Sequence, residues 1–281
     1  MFFSLKDKLK TIIKLLIYEF KSRIFFNRLN EIESKGNILF NTNFKFVSKT
    51  NLIIPFQLGR SRRGIAFDKI NNLDPYGKIY FQLINGKPQD LLIDKLSKLI
   101  YEEKNKNASE IMNCLGNKTL KRFPAWAHVM PWDDFTYNNK FQSYYSSLIS
   151  NRSDHGASFV KEEDDIYINS YAIARSHIEQ CNKLIKSINM KGIIDNLDMP
   201  RIHLLIKGNE WRWYMTSEGN HRVNLYYLMG YYKFSAVISS KIYRNKVQNW
   251  FNVKNETYTI KEALMIFDNI FEGSQYICGM I

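Results

Sequence analysis

Cysteine and proline are scarce in this chain, and apolar runs of membrane-spanning length are missing; each shortage closes a class. Three cysteines among 281 residues, Cys114, Cys181 and Cys278, are too scattered for a disulfide framework or a zinc site. They read as buried, inert thiols in a reducing compartment. Apolar stretches stop short of the roughly eighteen residues that a spanning helix requires, and no small-residue cleavage site follows the N-terminal segment. The expected location is the cytoplasm. With only 6 prolines and 13 glycines, no Pro-, Gly- or Ser-rich linker marks a domain boundary, and repeats and low-complexity tracts are absent. Acids are also in deficit. The 27 Asp and Glu against 40 Lys and Arg leave a net charge of +13, which invites a nucleic-acid partner. A general richness in Lys, Asn and Ile raises the pI equally well without one.

What is present divides the chain into three parts. An apolar content of 45% suffices for one large buried core, alone or with an extension. Residues 1–30 read as a basic amphipathic helix: Leu5, Leu9, Ile12, Ile13, Leu16, Ile17, Phe20 and Ile24 share a face, and six cations lie elsewhere. Such a helix either lies on an anionic membrane surface through residues 2–28 or docks on its own domain. Residues 31–120 form an extension with short strands at Phe44–Val47 and Leu52–Phe56, a helix at Leu91–Glu103 and a helix or turn at Ser109–Leu120. Within it, the basic cluster Arg60-Ser61-Arg62-Arg63-Gly64 contacts phosphates or an acidic glycan, or else is a solvated loop, the commoner outcome.

Residues 121–281 carry the densest chemistry. A helix is predicted over Ala172–Asn189, with Ile173, Ile178, Cys181, Leu184, Ile185 and Ile188 as its apolar stripe. Two strands, Arg201–Ile206 and Trp211–Met215, are joined by the hairpin turn Lys207-Gly208-Asn209-Glu210. Then comes Ser217-Glu218-Gly219-Asn220-His221-Arg222, opening a helix that runs to Gly230, followed by a strand over Lys233–Ser239. Amides at a helix start, with the positive end of its dipole, attract a phosphate. Gly219 permits close approach, Arg222 can add bidentate bonds to phosphate oxygens, and His221 can donate a hydrogen bond or shuttle a proton. The plainer alternative is a helix start with a solvated arginine.

The order helix, strand, strand, motif, helix, strand, with Ser187-Ile188 and Gly192-Ile193 ahead of Glu218-Gly219-Asn220-His221-Arg222, resembles the ParB N-terminal/sulfiredoxin superfamily over roughly residues 170–240. The resemblance implies an α/β fold with a nucleotide-phosphate site, used in relatives for DNA partition, sulfinic acid reduction or phosphorylation of free serine. Asn220 stands where sulfiredoxins carry their cysteine, which removes the thiolate a reductase needs. About forty residues follow the motif's strand, too few for the DNA-reading domain of partition proteins. Kinase-like members carry Asp-Gly-His-His-Arg; here the acid, glycine, histidine and arginine positions are kept as Glu218, Gly219, His221 and Arg222.

Two further regions offer substrate contacts. Phe123–Asp134 mixes aromatics, His128 and two acids around Pro124 and Pro131. It reads as a substrate wall, with Trp126 and Trp132 stacking, His128 as acid or base and Asp133 or Asp134 on a hydroxyl or a metal, or as a packed strand ending at a prolyl turn with Asp133 capping the next helix. Asp154 and His155 lie on a predicted loop with Arg152, and Glu162-Glu163-Asp164-Asp165 reads as a solvated face, a metal ligand set or a lid. The expectation that follows is an α/β (α+β) protein whose core spans residues 121–281 and transfers phosphate from ATP or another nucleotide to a small hydroxylated acceptor. Gly219, Asn220, His221 and Arg222 hold the nucleotide, and Glu218, His221 and Arg222 do the chemistry, with Glu218 accepting the acceptor's proton or holding Mg²⁺. The candidate acceptor contacts are His128, Trp132, Asp133, Asp154 and His155. The alternative is a non-catalytic, nucleotide-gated module that binds DNA or a membrane, peripheral at its inner face.

Overall fold

Short-range signals start and stop most elements. β1 (Leu52–Pro55) and β2 (Gly59–Arg60) come first. Asp74 caps α1 (Pro75–Ile84), its carboxylate accepting the Tyr76 amide at 3.0 Å, and Pro75 sits at the first helical position, where its missing N–H is not needed. α2 (Gln89–Lys104) follows, and a capping box between Asn107 and Glu110 opens the short α3 (Ala108–Ile111). β3 (Phe159–Glu162) and β4 (Asp165–Ile168) pair antiparallel in a small sheet of their own. Along α4 (Ser170–Lys191) the predicted stripe is buried at Ile173, Ile178, Cys181, Ile185 and Ile188. The hairpin of β5 (Arg201–Lys207) and β6 (Glu210–Met215), then α5 (Asn220–Leu228) and β7 (Lys233–Tyr243), fall in the predicted order. A single helical turn, α6 (Phe251–Lys254), precedes α7 (Ile260–Glu272), which opens on a Thr259/Glu262 capping box and closes on left-handed Gly273.

This computed structural model describes residues 52–70, 74–140, 159–162, 165–168, 170–193, 199–216 and 218–274, all within one compact unit spanning Thr50–Ile281. The amphipathic helix of residues 1–30, the strand at Phe44–Val47, Asp154, His155, Glu163, Asp164 and Cys278 lie outside the described residues. Among the described residues no helix is long and apolar enough to cross a membrane.

The chain is α/β. Its main sheet is mixed, in the order β1-β7-β5-β6-β2: β1 and β7 are antiparallel, β7 and β5 parallel, β5 and β6 antiparallel, β6 and β2 parallel. Alternate residues of a strand face opposite sides, and β6 shows what each side meets. Trp213 faces an aromatic cluster of Phe56, Phe67 and Phe234, with Tyr227 of α5 packed on Phe56 and Phe67. Tyr214 faces a second core containing Ala125, Trp132, Trp250, Ile266 and Phe267, which α7 covers. β7 runs beyond the predicted Ser239 to Tyr243: a register shift at Ile202/His203 passes over Ser239, and the strand then pairs Ser240 with His203, Lys241 with Leu204, Ile242 with Leu205 and Tyr243 with Ile206.

One segment falls between the alternatives read from the sequence, and a second departs from the strand alternative. Helix in Ser109–Leu120 is confined to its first turn; beyond Ile111 the chain makes turns and then a 3-10 segment at Leu120–Arg122. Phe123–Asp134 is not a strand but a 3-10 turn at Ala125–Ala127 followed by turns. Both lie under α7, where filling the core outweighs local preference.

Candidate functional site

The loop before α5 is knitted onto the start of β5. The Thr216 amide and hydroxyl both donate to the Arg201 carbonyl, at 3.2 and 2.9 Å, the Glu218 amide donates to Thr216 Oγ1 at 3.3 Å, and Arg201 Nε meets Glu218 Oε2 at 2.8 Å. Gly219 then takes a left-handed φ of +80° as the N-cap of α5, with no side chain capping the helix. A Cβ at Gly219 would come within 2.8 Å of Pro200 Cβ. The glycine is thus required twice over, by conformation and by contact. Asn220 Oδ1 accepts from Asn224 Nδ2 at 3.3 Å, and His221 and Arg222 occupy the first turn, partly exposed.

The His221 side chain reaches inward between α1 and α4. Its Nδ1 lies 2.9 Å from Tyr80 Oη and 4.0 Å from Cys181 Sγ, and the His177 ring meets it edge to face at 4.6 Å. Tyr80 and Cys181 are fully or almost fully buried. Burial pushes the Cys181 thiol up to about 12 and the Tyr80 phenol well above its ordinary value, so both hold their protons at neutral pH. Deeper on α1, Arg63 stacks 3.5 Å over the Tyr76 ring and lies 3.8 Å from Asp74, and Tyr76 donates to Glu103 at 2.9 Å. Burial raises the Asp74 carboxyl, opposed by Arg63 and two amide hydrogen bonds. A buried polar network therefore stands behind the helix start. Such networks concentrate at functional sites, and also serve structure.

Compared with known proteins, the chain matches no family model, no curated protein and no solved structure. Among the described residues no group of three or more His, Cys, Asp and Glu side chains is disposed to hold a metal.

Sequence reasoning placed Cys181 in an apolar stripe and passed over His177 and Tyr80. The spacing of His177 and Cys181, four apart on one helical face, was a usable signal. Tyr80, 141 residues before His221, had none.

His128, Trp132 and Asp133 stand on the other side of the sheet. Trp132 packs edge to face on Tyr214, Trp250 and Phe267, in the core that Tyr214 faces, whereas Tyr227 of α5 belongs with Trp213. The sheet separates these three residues from Gly219–Arg222. His128 is buried, donates Nδ1–H to the Ala125 carbonyl at 2.9 Å, and is held well below its ordinary pKa by desolvation and by Lys140. Asp133 caps no helix; its Oδ2 accepts the Met130 amide at 2.7 Å and closes a turn.

Burial raises Asp133 to about 6, above its unfolded value, so the folded state favours the protonated acid. The stability this gives is complete below the unfolded pKa near 4 and is lost as pH rises through 6. Asp133→Asn keeps an oxygen for the Met130 amide and cannot ionise. Urea unfolding between pH 4 and 7.5 should show wild type losing about 2 kcal/mol relative to the variant as pH rises; parallel curves would mean that Asp133 stays solvated.

The basic cluster is not a solvated loop. Arg60, Ser61 and Arg63 are buried. Arg60 donates to the Ile270 and Phe271 carbonyls at the end of α7, Arg63 joins the network behind α5, and the Arg62 carbonyl accepts the Tyr214 hydroxyl at 2.8 Å.

Proposed function

We propose that this chain is a nucleotide-dependent phosphotransferase acting on a small hydroxylated acceptor, with the nucleotide's phosphates at the start of α5. The observation that carries the reading is the left-handed Gly219 opening α5 without a side-chain cap, followed at once by His221 and Arg222. A helix start left to its own amides favours an anion, and a guanidinium in the first turn adds charge-assisted bonds to it. The resemblance to ParB/sulfiredoxin-like proteins over residues 170–240 supports the same placement. Mg²⁺ suits a nucleotide's phosphates better than an all-protein cage. Glu218 is the carboxylate beside them in sequence, and it would serve the metal or an acceptor hydroxyl only on leaving Arg201.

That ion pair favours a second reading. With Glu218 engaged by Arg201 at 2.8 Å, the motif has a phosphate site without a committed base, as a nucleotide-gated binding module would. Its partner would be an anionic membrane surface met through the basic residues 2–28, at the inner face of a membrane, with nucleic acid behind it.

Calorimetric titration of the full chain with ATP, ADP, CTP and GTP in the presence of Mg²⁺ tests the shared site. Saturable binding should appear in wild type and weaken at least about tenfold in Arg222→Ala, the effect of losing charge-assisted bonds of about 1.4 kcal/mol or more. No binding of any nucleotide overturns both readings. Given binding, Glu218→Gln separates them: an enzyme loses turnover and keeps affinity, whereas a gated module keeps its partner response.

A further inference from the structure

We propose that Ser240 and His203 form a second reactive site, in which the Ser240 hydroxyl is a nucleophile that takes an acyl group from an activated ester or thioester and His203 is its base. The site stands apart from the phosphate reading, on the side of the sheet that Tyr214 faces. Strand register builds it. β5 lies between β6 and β7, and His203 is the partner of Tyr214 on β6 and of Ser240 on β7, so the three side chains form one row across a single face. The register shift that passes over Ser239 is what brings Ser240 into that row. Ser240 Oγ lies 2.6 Å from His203 Nδ1, and the Tyr214 ring lies near-parallel to the imidazole, with centroids 6.4 Å apart and 21° between the planes. The row marks the margin of the second core. Leu205 and Ile242, one row further along β5, belong to that core, whereas His203 and, one row back, Arg201 are partly exposed. Ser240 is itself 6% exposed, so a reagent approaches its hydroxyl across His203.

A serine hydroxyl within hydrogen-bond reach of an imidazole nitrogen is the arrangement that activates a weak nucleophile. Desolvation lowers His203 to about 4, so at neutral pH the ring is uncharged and, with its proton on Nε2, Nδ1 accepts from the hydroxyl. In the reaction the Oγ lone pair attacks the acyl carbon as the Oγ–H proton passes to Nδ1. The bond from that carbon to the leaving oxygen or sulfur breaks, the leaving group takes the proton from Nδ1, and Ser240 carries the acyl ester. Water then attacks the ester, one of its protons passing through Nδ1 to Oγ, and the acid departs. The same geometry narrows the donor. Among the described residues no carboxylate bonds the His203 ring, and an orienting carboxylate is worth about 10⁴-fold where serine and histidine work with one. The lowered basicity further weakens the base. Only leaving groups that need little help are within reach, which selects aryl esters and thioesters and excludes amides.

Incubating the full chain with a fluorophosphonate probe, which bonds a nucleophilic serine oxygen through phosphorus and releases fluoride, and mapping the adduct by peptide mass spectrometry tests this directly. The adduct should sit on Ser240 in wild type and vanish in Ser240→Ala. In His203→Gln, which keeps a hydrogen-bonding side chain but no base, it should form about 100-fold more slowly. With p-nitrophenyl acetate, wild type should release p-nitrophenol and carry the acetyl group on Ser240, whereas p-nitroacetanilide, the amide of the same acid, should stay intact. A wild type without an adduct on Ser240, or equal labelling rates in wild type and folded His203→Gln, overturns the inference. The wild-type map decides even if both variants fold poorly. Cleavage of the anilide as fast as the ester overturns the restriction to activated donors.

Discussion

Arg60→Met should destabilise the chain by roughly 3 kcal/mol, measured by urea unfolding with the slope unchanged. Arg60 is 6% exposed, and its guanidinium closes the C-terminus of α7: Nε lies 3.0 Å from the Ile270 carbonyl and 2.8 Å from that of Phe271, Nη2 lies 2.6 Å from Phe271, and Nη1 turns back to Gly59 at 2.8 Å. The last carbonyls of a helix have no partner within it, and a cation beside them also meets the negative end of the dipole. Methionine fills similar volume but donates nothing. The Gly273 amide still reaches Ile270 at 3.0 Å, so the Phe271 carbonyl suffers most. Leaving a buried carbonyl unmet costs about 1–3 kcal/mol, and a lost bond to a charged group a comparable amount. Against this stands the relief of burying no charge, which is real here because desolvation already lowers the guanidinium to about 10. Arg62→Met removes the same charge from the same turn, without donors to α7, and should stay within about 1 kcal/mol of wild type. Equal costs for the two would show that the cluster acts through net charge, not through the end of α7.

That contrast also shows where the sequence was readable. The hairpin of β5 and β6, the helix α5 and most of β7 followed from signals inside a few residues: alternation, a Lys-Gly-Asn-Glu turn, and a glycine before a helical spacing. The stripe of α4 was equally local. Two helices went unassigned although their signals were present, α1 in Asp74-Pro75 and α7 in Thr259-x-x-Glu262 with Gly273 at its end. What no window could give was the burial of Arg60, since composition sends arginine to solvent and only carbonyls 210 residues later bring it inside. The pairing of β2 with β6 was equally hidden, because a two-residue parallel contact has no periodicity to read. Within the candidate site, Glu218 through Arg222 were legible as a motif. Their supporting residues Tyr80, His177 and Cys181 come from two other helices, so the contact that gives His221 its orientation exists only in the fold.

Gly219 carries the second large effect, and its variants separate the structural use of the motif from its use on a ligand. Gly219→Ala should cost about 2–4 kcal/mol. About 1 to 2 of that comes from placing an L-residue at a φ of +80°, and the remainder from a Cβ held 2.8 Å from Pro200 Cβ and 3.0 Å from its Cα. Gly219→Asn isolates the two, because asparagine visits the left-handed region more readily yet brings the same Cβ. Closely similar costs for Ala and Asn identify the Pro200 contact as dominant, and a markedly milder Asn identifies the backbone conformation. Adding Pro200→Gly should recover most of the contact part and little of the conformational part. If the glycine serves only to turn the chain into α5, the double variant, folded and below its melting range, binds nucleotide as wild type does. If the backbone also approaches a phosphate there, the added methyl keeps affinity at least about tenfold down, 1.4 kcal/mol, after stability has returned. The stability and affinity of one double variant thus distinguish a helix start that merely needs its glycine from one that presents its amides to an anion.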